Sequence, residues 1–98
     1  MSVVKIFEKD NTIQFFATIR AYSHEIRDPD SIPKITITDA DGNNVVDADD
    51  MLKYDTGRFK YFWQPTTAGK YVVKITANIA GKTINVRKPF KVVETTII

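Results

Sequence analysis

The densest group of oxygen-bearing side chains in this sequence is Asp39-Ala40-Asp41-Gly42-Asn43-Asn44, followed by Asp47, Asp49 and Asp50. Clustered carboxylate and amide oxygens are what a hard cation such as Ca²⁺ takes as ligands. The spacing does not make an EF-hand. With Gly42 at the invariant glycine, the first and last ligand positions fall on Ile37 and Ala48, which carry no side-chain oxygen. The same residues suit a hairpin connection in which Asp and Asn close Asx turns and Gly42 takes positive φ. The spacing favours the turn. A calcium site at Asp39, Asp41 and Asn43, completed by Asp28, Asp30 or Asp55 from elsewhere in the chain, is the alternative.

Two carboxylate pairs, Asp28 with Asp30 and Asp49 with Asp50, have the residue types of a general acid and base. Nothing in the sequence sets either pair in a cleft, so a solvated acidic face is the expectation. Cysteine is absent and His24 is the sole histidine. Thiolate metal sites, disulfides, a Cys nucleophile and any centre needing two imidazoles in one chain are therefore excluded. His24, beside Glu25 and just past a strand end, reads as an exposed loop residue. No catalytic residues are assigned, and an enzyme is not expected.

Arg58-Phe59-Lys60-Tyr61-Phe62-Trp63 mixes cations with aromatic rings, as stacking platforms for nucleic acid do. Alternation divides it. Phe59, Tyr61 and Trp63 share one face and suit a core, while Arg58, Lys60 and Phe62 point the other way. Together with Lys70, Lys74, Lys82 and Lys88 on later strands, that outward set suits an acidic partner or a phosphate backbone, but lysines on strand edges also block unwanted pairing and keep a protein in solution, which is the favoured reading. Outward aromatic residues, Phe16 and Phe62, point to an interface. The candidate interaction residues are thus Phe16, Arg58, Lys60, Phe62 and Lys74. Ile97 and Ile98 join them, because the tail Glu94-Thr95-Thr96-Ile97-Ile98 has the composition to add a strand to a neighbour.

These residues must be carried by strands. Apolar residues recur at every second position in Thr12 to Tyr22, Lys34 to Thr38, Arg58 to Gln64, Lys70 to Ala77 and Thr83 to Val93, with weaker runs at Val3 to Glu8 and Asn44 to Tyr54. Pro89 marks a bulge or an edge in the last of them. Turn signals separate the runs about every ten residues. The pattern predicts an all-β domain of about seven strands in two antiparallel sheets, with a core of Phe15, Ile19, Ile35, Ile37, Phe59, Tyr61, Trp63, Tyr71, Val73, Ile75 and Phe90. Burial of such side chains at roughly 1.5–3 kcal/mol each makes a stabilising metal or disulfide unnecessary. One domain is expected over residues 1–98, with its core at 3–93 and a tail at 94–98.

Thr67-Ala68-Gly69-Lys70-Tyr71-Val72-Val73 resembles the tyrosine corner of immunoglobulin-like (Ig-like) sandwiches, with Val73 where Cys often stands. Asp55-Thr56-Gly57-Arg58-Phe59-Lys60-Tyr61 resembles a strand entry that recurs in cysteine-free Ig-like domains of bacteria, archaea and phages. Asp28-Pro29, Ile35-Thr36-Ile37, Asp39-Ala40-Asp41-Gly42, Met51 and Phe90-Lys91-Val92 complete a similar order over about residues 11–93. The chain lacks the Cys pair and the early core Trp of antibody domains. The resemblance implies an Ig-like β-sandwich acting as a non-catalytic interaction or structural module, a small virion-associated or phage-encoded protein. A carbohydrate- or ligand-binding module with a calcium site in the Asp-rich loops is the alternative.

Charge adds a direction. The chain carries 14 Lys and Arg against 12 Asp and Glu, a net +2, which is not the footprint of a dedicated nucleic-acid binder. Its distribution is uneven: residues 28–55 hold eight Asp against Lys34 and Lys53, and residues 56–98 hold eight Lys and Arg against Glu94. A protein partner or a homo-oligomer joining opposite charges is therefore expected, not nucleic acid. No run of 18 apolar residues occurs and no signal-peptide pattern is visible, so no membrane partner and a cytoplasmic or virion-associated location are expected.

Overall fold

The computed structural model describes residues 5–20, 23 and 25–94. Among these the chain forms eight strands and no helix: β1 (Lys5–Glu8), β2 (Ile13–Thr18), β3 (Lys34–Asp39), β4 (Asn44–Asp50), β5 (Leu52–Asp55), β6 (Arg58–Trp63), β7 (Gly69–Ile79) and β8 (Lys82–Val93). They build two sheets, a five-stranded one ordered β1-β8-β7-β3-β4 and a three-stranded one ordered β2-β6-β5. The arrangement is all-β and sandwich-like. Every pairing is antiparallel except β1 with β8, which run parallel.

The eighth strand comes from the stretch Asn44 to Tyr54, which alternation reads as one run. Met51, 2% exposed, is drawn into the core and its N–H donates to Pro33 O at 3.0 Å. There the chain leaves the larger sheet as β4 and enters the smaller as β5. The run expected to reach Tyr22 is shorter too, ending at Thr18. Past it, Ile19 N–H donates to Gly57 O and Arg27 N–H to Ile19 O, which turns the chain out of the sheet.

Inward positions of the two sheets share one core: Ile13, Ile19, Ile35, Ile37, Met51, Phe59, Tyr71, Val73, Ala77, Phe90 and Val92 are buried, and Phe15, Tyr61, Trp63 and Ile75 pack against them. Phe90 centres an aromatic cluster. Tyr71 stacks on it at 5.5 Å, and Phe7, Phe15 and Trp63 meet it edge-on at 5.8, 5.6 and 6.0 Å. These are the geometries ring quadrupoles favour.

The long β7–β8 hairpin turns at Ala80-Gly81, both at positive φ (50° and 76°), which matches the right-handed twist of its strands. Its closing pair is Ile79 with Lys82, so hydrogen-bonded pairs alternate away from it and Val72–Pro89 is a non-hydrogen-bonded pair. Pro89 thus directs its missing N–H away from β7, and the register runs past it without a bulge. No helix among the described residues is long and apolar enough to cross a membrane.

Candidate interaction surface

Alternation in β2 and β6 sends Gln14, Phe16 and Thr18, and with them Arg58, Lys60 and Phe62, to the outer face of the three-stranded sheet. Register places Phe16, Lys60 and Leu52 side by side across three strands. Phe16 (57% exposed), Leu52 (56%), Tyr54 (47%) and Phe62 (43%) form one patch. Phe16 and Tyr54 meet edge-on at 6.2 Å. Between the rings lies the Lys60 ammonium, 5.6 Å from the centroid of Tyr54 and 5.4 Å from that of Phe62. A cation held by ring faces spreads its charge over the patch without burying it.

The sequence-based set divides between faces. Phe16, Arg58, Lys60 and Phe62 come together as described, whereas Lys70 and Lys74 lie on the outer face of the other sheet, pairing across β7–β8 with Lys91 and Arg87. Lys88 shares the inward side of β8 with Phe90, at the open margin of the sandwich. His24, Ile97 and Ile98 lie outside the described residues. Leu52 and Tyr54 were missing from the expected set. Their signal was the alternation Leu52-Lys53-Tyr54, hidden because the bulge at Asp47-Ala48 shifts the inward parity from Val46 to Asp49 and Met51.

Asp28, Asp30, Asp39, Asp49 and Asp50 all accept hydrogen bonds from within the domain. Asp39 Oδ1 accepts the N–H groups of Asp41 at 3.0 Å and Asn43 at 2.9 Å, an Asx turn with Gly42 at φ 86°. Among the described residues no group of three or more His, Cys, Asp or Glu is placed to hold a metal ion. Asp28 accepts Gly57 N–H at 2.8 Å and faces Lys53 at 2.8 Å. The Lys53 hydrogen bond, then that from Gly57, holds its carboxyl below the ordinary value. Asp30 accepts the N–H groups of Ala80 and Gly81 at the hairpin tip. Asp50 pairs with Lys34, and Asp49 accepts the Tyr61 hydroxyl at 2.6 Å. Burial, then that bond, pushes the Tyr61 phenol up to about 12, so it stays a donor at neutral pH.

Among the hollows of the described residues, two lie beside elements already named. One, of about 330 Å³, sits between the Asp39–Asn43 turn and Trp63, Gln64 and Tyr71. Tyr71 there donates its hydroxyl to Thr67 O at 2.6 Å, and its pKa is raised, chiefly by burial. The other, of about 440 Å³, opens between β2 and the β7–β8 hairpin against Ala17, Ile19, Ile75, Ile84 and Val86. No family model matches this chain, and no curated protein matches it.

Proposed function

We propose that this chain is a non-catalytic interaction or structural module of Ig-like type, which docks through the outer face of its three-stranded sheet. The patch of Phe16, Leu52, Tyr54 and Phe62 around Lys60 carries the reading. Outer sheet faces in water ordinarily alternate to polar residues, and a contiguous apolar patch edged by charge is the composition of a protein contact. The strand order β1-β8-β7-β3-β4 against β2-β6-β5 and the Tyr71–Thr67 bond support the Ig-like assignment. The motif order from Asp28-Pro29 to Phe90-Lys91-Val92 supports the narrower reading of a small virion-associated or phage-encoded protein.

Charge selects the partner. A two-fold contact through this face would set Lys60 and Arg58 against their own copies, so the patch favours a different protein surface, apolar at its centre with carboxylates beside it. Replacing Phe62 by the photo-crosslinking p-benzoylphenylalanine in the cells that naturally contain the protein tests this. The expected result is one defined protein adduct, reproduced with the purified partner and lost in Lys60→Glu. Adducts that are diffuse, or indifferent to Lys60→Glu, would overturn the reading.

A further inference from the structure

The outer face of the five-stranded sheet carries like charges directly opposite each other. Lys70 faces Lys91 and Lys74 faces Arg87 across β7–β8, with Val72 and Pro89 between the two pairs. Counting from the closing pair Ile79–Lys82, both are non-hydrogen-bonded pairs, the kind in which side chains stand closest. Like charges so placed destabilise a sheet. Residues 56–93 contain no Asp or Glu to relieve them, and among the described residues none of the four has a carboxylate in ion-pair contact.

A carboxylate able to relieve them from a second copy lies on the opposite margin of the same face. Reading across β8, β7, β3 and β4, one row runs Pro89–Val72–Thr38–Asn44 and another Asn85–Thr76–Lys34–Asp50. Between them runs Arg87–Lys74–Thr36, which ends at Asp47-Ala48: Ala48 N–H donates to Thr36 Oγ1 at 3.1 Å, and Asp47 accepts from Asn44 Nδ2 at 3.2 Å. The row Lys91–Lys70 lies one position past Tyr71–Asp39 and ends at the turn bearing Asp41. The Arg87–Lys74 row therefore ends in a carboxylate on the far margin, and the Lys91–Lys70 row ends at the turn itself.

We propose that this face docks a second copy of the same chain about a two-fold axis parallel to the strands, between β7 and β3. That rotation lays each row over its own reverse. Asp47 of one copy covers Arg87 of the other, with Lys74 beside it over Thr36, and the Val72–Pro89 step lies over Thr38 and Asn44. Four strands about 4.8 Å apart and some nine residues long present roughly 500–600 Å² per copy, the low end for a specific interface. The dimer is accordingly weak and salt-sensitive. It uses the sheet opposite the Phe16–Phe62 patch and stands without it.

Sedimentation velocity of the full chain at about 50 and 500 mM NaCl, where the screening length shortens several-fold, tests this. Wild type is expected to be a dimer at low salt and a monomer at high salt. Lys74→Glu/Arg87→Glu and Asp47→Lys, each checked for folding by circular dichroism, are expected to be monomers alone and to dimerise when mixed. A wild type monomeric at low salt would overturn the proposal, as would failure of the mixture to dimerise. So would a dimer that survives both charge reversals but is lost in Phe16→Ser/Phe62→Ser. Retention of a monomeric wild type on a sulfated polysaccharide column would instead make the cationic half a polyanion site.

Discussion

Asp28 joins the segment before β3 to the turn before β6 with one carboxylate, one oxygen on Gly57 N–H and the other on Lys53. Gly57 itself is fixed by φ 66° and by Arg27 O, which would lie 2.6 Å from any Cβ there. Because the folded state holds Asp28 below its ordinary pKa, the unfolded chain takes up the proton first as pH falls. This contribution is whole above the ordinary carboxylate range and fades as pH drops through the folded-state value. Asp28→Asn keeps an acceptor for Gly57 but removes the charge. It should lower Tm at pH 7 by a margin that closes as pH falls below the ordinary carboxylate range, measured by thermal melts of both proteins across pH. Asp28 was legible as a chemical residue but not in this role, since its partners lie 25 and 29 positions away. The Asp39 turn was legible because donors and acceptor lie within four residues.

At the level of strands, two-residue alternation was enough to place most of the core, because each inward residue of β2, β3, β6 and β7 repeats at the period the pleat imposes. It failed at the bulge of Asp47-Ala48, where Ala48 at φ 47° shifts the inward parity from Val46 to Asp49 and Met51, ahead of the change of sheet. Leu52 and Tyr54 consequently turn outward beside Phe16, and the apolar platform could not be read from β2 and β6 alone. The β7–β8 turn shows a different mismatch between sequence and backbone. Ala80 sits at φ 50°, where a Cβ meets the following carbonyl, while Gly81 fits its φ of 76° without strain. Asn is far better suited than Ala to the first position of such a turn. Ala80→Asn should therefore raise stability by about 0.5–1 kcal/mol in urea unfolding. An unchanged midpoint would show that the hairpin bears no strain there.

Over the whole molecule, charge is sorted more sharply than a net +2 suggests. The same cations that would draw a second copy weaken the monomer, so the two properties should respond oppositely to one substitution. Lys74→Glu places an attractive pair opposite Arg87 and should stabilise the dilute monomer by about 0.5 kcal/mol while weakening association. Urea unfolding at low protein concentration, beside sedimentation at high concentration, measures both. The one parallel pairing among the described residues has a mechanical consequence. β1 begins at Lys5 opposite Phe90 and β8 ends at Val93 opposite Glu8, so the chain enters the ladder at one end and leaves at the other. Tension along the polypeptide would pull these strands past each other lengthwise, loading all their hydrogen bonds at once instead of peeling them singly. With Phe7 wedged edge-on against Phe90, the fold is fastened there like a lap joint.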